Sequence, residues 1–223
     1  MRLIGGADPE LAGIVVLSLE LALAAAVIGA AIGLPLGALV AVGRFPGRRA
    51  LIVLLNALLG LPSVVVGLVA YLLLSRAGPL GSLGILFTPA AIVVAQTVLV
   101  VPIVAALARQ TTEDAWNEYR EQLTSLGVSR LRAVPTVLWD TRFSLLTVVM
   151  AGFGRAASEV GAVMVVGGNI DGVTRVMTTT IALETSKGDL PLALALGAIL
   201  IAVVLLINTG AFLLRQWAER RWG

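Results

Sequence analysis

The chain has 223 residues, 58% of them hydrophobic and 13% charged, with a mean hydropathy of +0.99. That balance excludes an ordinary soluble domain and describes an all-α integral membrane protein, with room for about five or six spans of roughly 20 residues each. Cysteine and histidine are both absent, which excludes disulfides, thiol catalysis and any zinc or haem site built on those ligands.

Five apolar spans are predicted in chain order, forming a single transmembrane domain over residues 1–223. The first covers residues 11–42, long for one perpendicular helix and punctuated by Gly29, Gly33 and Pro35, so tilt, a kink or an extension must absorb the excess. Residues 51–74, with Pro62 inside, form the second, and residues 88–107 the third. The fourth runs over 142–166, where Gly167-Gly168-Asn169 stops it, and the fifth over 190–214. Asp8 and Glu10 stand before the first apolar run where a signal peptide would carry basic residues, so no cleavable leader is expected.

Eleven of the 16 basic residues lie after the first span, around residues 111–135, and at the C-terminus. Together with a pI near 10.2, this reads as basic membrane flanks and not as a groove for nucleic acid. The bias predicts a multi-pass protein of the inner membrane with its N-terminus outside and its C-terminus in the cytoplasm. Six spans would spoil that alternation.

Residues 111–132 form a polar island between apolar spans, and such an element has to meet something outside the lipid. Thr111 or Thr112 is expected to cap a helix whose first turn holds Glu113 and Asp114. Trp116, Tyr119, Leu123 and Leu126 recur at helical spacing as one stripe. Gly127 suits a left-handed stop, Ser129 a second short helix, and Pro135 the turn back into the membrane. An interfacial helix on anionic headgroups is the competing reading. Glu113, Asp114, Glu118 and Glu121 oppose it, because an anionic leaflet would repel them.

Glu121-Gln122-Leu123, three residues, then Gly127-Val128-Ser129-Arg130 resembles the cytoplasmic loop of type I ABC importer permeases, with Gln122 and Leu123 where two alanines are usual. The stretch from Gly60 to Leu68, then Gly78-Pro79-Leu80-Gly81 and Leu86-Phe87-Thr88-Pro89, is similar to the molybdate, sulfate and tungstate permease group. Gly154-Arg155-Ala156-Ala157-Ser158-Glu159-Val160-Gly161-Ala162, Gly167-Gly168-Asn169-Ile170 and the run from Met177 to Thr185 look most like the tungstate-type permeases.

The resemblance spans residues 11–215. It implies the five-helix core of a type I permease with a cytoplasmic coupling-helix loop at residues 111–135. It also implies a second copy of the chain, two cytosolic ATPase subunits holding ATP and magnesium, and an extracytoplasmic oxyanion-binding protein. This chain carries no Gly-rich loop ending in Lys-Ser/Thr, so any ATP chemistry is expected on another chain, and the resemblance implies a transport subunit with no cofactor of its own and no enzymatic activity. Glu118, Glu121, Leu123, Gly127, Val128, Ser129 and Arg130 are the residues assigned to ATPase coupling. The expected cargo is tungstate, with molybdate and then sulfate as alternatives.

Pro62, Ser63, Arg155, Ser158, Glu159, Asn169 and Thr178 are the candidates for the translocation path. Arg155 and Glu159 stand four apart and can pair. Charges at membrane depth face a cavity or the bundle interior, so the pair reads equally as a packing salt bridge or as part of the path. Ser158, Asn169 and Thr178 to Thr180 offer donors suited to an oxyanion, and capping of an external helix accounts for at least one threonine. Glu20 reads as an outer-interface residue; Gln96 and Asn56 read as interhelical hydrogen-bond donors and acceptors. A stand-alone channel or secondary transporter would require an internal repeat and ionisable groups in several spans. Neither is apparent.

Overall fold

The computed structural model describes residues 9–222. Nine α-helices are found among them: α1 (Pro9–Val42), α2 (Arg48–Leu58), α3 (Ser63–Leu74), α4 (Pro89–Ser125), α5 (Arg130–Asp140), α6 (Arg142–Ala157), α7 (Gly161–Gly167), α8 (Met177–Lys187) and α9 (Leu190–Trp222). No strand occurs among the described residues. Asp8, used above in the reading of the leader, lies outside the described residues, as does the Glu10 side chain.

Three helical stretches, Leu11–Val42, Pro89–Ser125 and Leu190–Trp217, are each long and apolar enough to cross a membrane. Two helix pairs meet the same test only together: α2 with α3, bent by 102°, and α6 with α7, bent by 57°. The expected second and fourth spans are therefore not continuous helices. Pro62 ends the first half of one, because it has no N–H to offer and takes an extended ψ of 116°. In the other, the Glu159 N–H turns back to Ala156 O, three residues away. The Glu159 side chain then takes the Ala162 N–H, so the helical ladder restarts in a new direction.

The third expected span also changes. Helix α4 does not stop near residue 107 but runs on through the island to Ser125, about 55 Å at 1.5 Å per residue. That exceeds the roughly 30 Å of hydrocarbon, so its polar end must project beyond it. Thr111 and Thr112 are interior to this helix and cap nothing: the Thr111 hydroxyl donates to Leu107 O at 3.1 Å. Pro135 likewise sits inside α5 and makes no turn.

The chain divides into two units, Met1–Ala25 with Pro62–Val98 and Gly154–Leu206, and Ala26–Leu61 with Leu99–Phe153 and Ile207–Gly223. In the first unit the two half-helices α3 and α7 lie side by side and run parallel. A Cβ on Gly67 would stand 2.8 Å from the Ala162 Cα, and one on Gly161 would stand 2.7 Å from a Val64 methyl. Only hydrogen at these positions lets the backbones approach so closely, the small-residue packing usual between helices in lipid. In the second unit α1 and α4 use the same device at Gly37, where a Cβ would meet Ala105 O at 2.5 Å. A second cluster in that unit buries Ala38, Ala41, Val42, Trp116, Ala133, Val134 and Val137.

Candidate functional site

The first unit holds a polar centre at the break between α6 and α7. Glu159 is only 2% exposed, and its carboxylate accepts from the Arg155 guanidinium and, at 3.0 Å, from the Ala162 N–H. Its carbonyl accepts from the Thr178 hydroxyl at 2.8 Å. One turn earlier, the Gln96 amide donates to Ala156 O at 3.0 Å. Ser18 anchors the start of α8 by accepting the Met177 N–H at 2.8 Å and donating to Ile14 O at 2.6 Å. A charge this deep is tolerable only when paired and hydrogen-bonded, and Glu159 is both.

The space enclosed by Ser18, Gln96, Glu159 and Thr178 is about 10 Å³. That is about the volume of a single water and excludes a tetrahedral oxyanion. The hydroxyl donors are also engaged internally. Ser158, although exposed, donates to Gly154 O at 2.8 Å, and Thr178 to the Glu159 carbonyl. Arg155 keeps spare capacity, being 29% exposed with further N–H groups beyond the one on Glu159, and the buried Gln96 Oε1 has no hydrogen-bond partner among the described residues.

Not every expected residue joins this centre. Ser63 lies beside the start of α7, where a Cβ on Gly161 would stand 2.9 Å from its hydroxyl, but does not line the space around Glu159, and Pro62 is its neighbour at the α2–α3 break. Asn169 belongs to the turn after α7, at φ +50°, beside a local network in which Thr174 donates to Gly167 O at 2.6 Å. Thr179 and Thr180 return their hydroxyls to Val176 O and so serve the start of α8. Asn56 is exposed and makes no side-chain hydrogen bond among the described residues. Glu20 is exposed as well. Gln96 is the interhelical link expected, whereas Ser18, which no sequence pattern marks, is the connector that was missed.

The second unit holds the polar island. Gly127 takes φ +75° and closes α4 with two bonds, Val128 N–H to Leu123 O at 3.0 Å and Gly127 N–H to Thr124 O at 3.0 Å. This is the glycine-ended stop in which the residues flanking the turn also touch. Accordingly Leu123 and Val128 both pack onto the Trp116 cluster. Ser129 then leads into α5 with an extended ψ of 152°. Arg130 lies over the Trp116 ring, 5.7 Å from its centroid, and Leu126 leaves the expected stripe, 76% exposed. Glu118 and Glu121 are exposed. The Asp140 carboxylate, with a smaller contribution from Glu118, raises the Tyr119 phenol above its usual value.

Beneath the island is a clamp that sequence reasoning missed. Glu113 bridges two guanidiniums, Arg109 on its own helix and Arg48 at the start of α2, the latter at 2.7 Å. Arg48 also donates to Val40 O at 2.7 Å and Ala41 O at 3.1 Å. It thereby satisfies carbonyls that the end of α1 leaves without helical partners, where a cation is also favoured by the helix dipole. The Arg109–Glu113 spacing is legible as an i,i+4 pair. The 65-residue step to Arg48 is not.

The arrangement is that of a multi-helix membrane component with broken spans, a buried ion pair at one of the breaks, and a structured polar loop. Residues 33–223 match the family model described as binding-protein-dependent transport system inner membrane component, and the chain belongs to that family. It is 38% identical over 97% of its length, and 95% of the relative's, to the tungstate uptake system permease protein TupB of Peptoclostridium acidaminophilum. It is 39% identical over 74% of its length, and 69% of the relative's, to the protein of that name from Campylobacter jejuni. A molybdenum transport system permease protein, ModB of Mycobacterium tuberculosis, is 30% identical over 87% of this chain and 77% of its own.

Proposed function

We propose that this chain is the membrane-spanning subunit of an ABC importer that carries tungstate into the cytoplasm. The observation that carries this reading is the likeness to the Peptoclostridium tungstate permease, 38% identity along 97% of the chain. The weaker likeness to a molybdenum permease, at 30%, keeps molybdate as the second cargo, because the two oxyanions share charge and tetrahedral shape.

In this reading two copies of the chain assemble with two cytosolic ATPase subunits, which hold ATP and magnesium, and an extracytoplasmic oxyanion-binding protein. The N-terminus lies outside and the C-terminus in the cytoplasm, in keeping with the basic flanks. Glu118, Glu121 and Arg130 offer charge to a groove on the ATPase. Leu123, Gly127, Val128 and Ser129 hold the loop in shape, a division supported by the packing of Leu123 and Val128 on the Trp116 cluster. The translocation path follows the two broken spans past Pro62, Ser63, Arg155, Ser158, Glu159, Asn169 and Thr178. Arg155 attracts the dianion while Glu159 keeps the attraction from becoming a trap. The cavity beside Glu159, too small for cargo, is consistent with a closed path that opens when the ATPases move the coupling loops.

The test is uptake into proteoliposomes holding the full assembly, read as tungsten by mass spectrometry with molybdate and sulfate in competition. ATP-dependent tungsten accumulation that molybdate suppresses weakly and sulfate hardly at all is expected. Accumulation without ATP would refute the importer, and preferential molybdenum accumulation would refute the cargo.

A further inference from the structure

We infer that the pocket where the end of α1, the start of α2 and the polar part of α4 meet in the second unit binds a phosphate-class oxyanion group. The pocket is about 160 Å³ and is lined by Arg44, Arg48, Glu113, Trp116, Arg120 and Arg130, among others. Two of the four guanidiniums are engaged: Arg48 with Glu113 and the α1 carbonyls, and Arg130 with Val42 O at 3.4 Å and the Trp116 ring. The one carboxylate is engaged too, because Arg48 and Arg109 take both of its oxygens. The guanidiniums of Arg44 and Arg120 have no hydrogen bond or ion pair among the described residues, so the pocket carries positive charge that the protein does not balance.

Like charges gathered around one cavity repel, and an anion seated between them removes that repulsion while accepting forked N–H donors. A phosphate-type group suits this, because tetrahedral oxygens can engage both guanidiniums at once. The position adds a second argument. The apolar run of α1 ends at Val42 and that of α4 at Ala108, which puts the pocket at the hydrocarbon boundary. Leu39 and Phe45, on either side of the α1 end, are exposed. A basic pocket with apolar side chains next to it matches a phospholipid, headgroup between Arg44 and Arg120 and acyl chains along Leu39 and Phe45. A free phosphate would use the same donors without the apolar neighbours.

The inference rests on membrane embedding and not on the identity of the cargo, so a failed tungstate assay leaves it standing. The full chain is purified, delipidated in detergent and offered phosphatidylglycerol or phosphatidylcholine, with bound lipid counted by native mass spectrometry. Phosphatidylglycerol should bind selectively. Arg44→Gln with Arg120→Gln should weaken it about tenfold or more, as expected for lost charge-assisted contacts. Arg49→Gln, an exposed guanidinium outside the pocket, should bind as the parent does. Inorganic phosphate that displaces the lipid and raises the thermal midpoint supports the pocket and makes the free anion its ligand; phosphate without effect makes it the lipid's. Equal binding of both lipids, or parental binding by the double variant, overturns the inference. The latter result together with lost capture of the ATPase gives the pocket to the protein partner.

Discussion

Removing Arg155 separates a structural ion pair from a transport residue. Arg155→Ala leaves the Glu159 carboxylate, 2% exposed, with the Ala162 N–H as its remaining side-chain partner. Breaking a buried pair by deleting one partner costs about 3–5 kcal/mol. Because Arg155 is 29% exposed, water can reach one end of the pair, and the lower bound of about 3 kcal/mol is the better figure. The second variant adds Glu159→Gln, whose amide oxygen can still accept the Ala162 N–H but carries no charge to strand. Its loss should shrink to about 1 kcal/mol, that of an ordinary hydrogen bond. Each variant is purified, its thermal midpoint and assembly yield are measured, and ATP-driven tungsten uptake is followed in proteoliposomes. A role in the path requires the double variant to recover stability and assembly yet import poorly, because the attracting charge is gone. If import returns along with stability, the pair only holds α6 to α7, and Arg155 leaves the path.

Other expected outcomes follow the same geometry. Gly127→Val forces a β-branched residue to φ +75° at a cost of about 1 kcal/mol or more. It should lower cargo-stimulated ATP hydrolysis, as should Glu121→Lys; parental coupling in both would remove the loop from its assigned role. Gly67→Ala drives a Cβ to within 2.8 Å of the Ala162 backbone and should lower the thermal midpoint. Gly154→Ala, which meets nothing within 4 Å, should hold or raise that midpoint, helix propensity adding about 0.5–1 kcal/mol of stability; equal effects would refute close α3–α7 contact. Glu113→Gln should loosen the α2–α4 clamp through Arg48 by no more than about 1–2 kcal/mol, since its partners are partly solvated, and the loss should fade in high salt. Tags near residue 187 should react with impermeant reagents in intact spheroplasts. Tags near residues 48 and 125 should react only after the membrane is opened, and the reverse pattern would invert the topology.

Local chemistry made much of this protein legible from the sequence alone. The apolar runs follow from composition, because hydrocarbon admits little else. The Gly127 stop follows from the one residue type that takes φ > 0 without a Cβ penalty, and the Arg155–Glu159 pair from a spacing of four. Each depends on residues within one helical turn. The tertiary structure decided the rest. Hydropathy averages over about twenty residues and cannot register a bend at Pro62 or at Glu159, because the halves on both sides remain apolar. Helix α4 continues through Thr111 because nothing there interrupts its ladder, although a threonine before acidic residues also reads as a cap. Arg48 on Glu113, Ser18 on Met177 and Gln96 on Ala156 join residues 65, 159 and 60 positions apart. Such partners are selected by which helices pack together, and that choice rests on glycines such as Gly67 and Gly37, whose missing side chains let one particular backbone approach and no other.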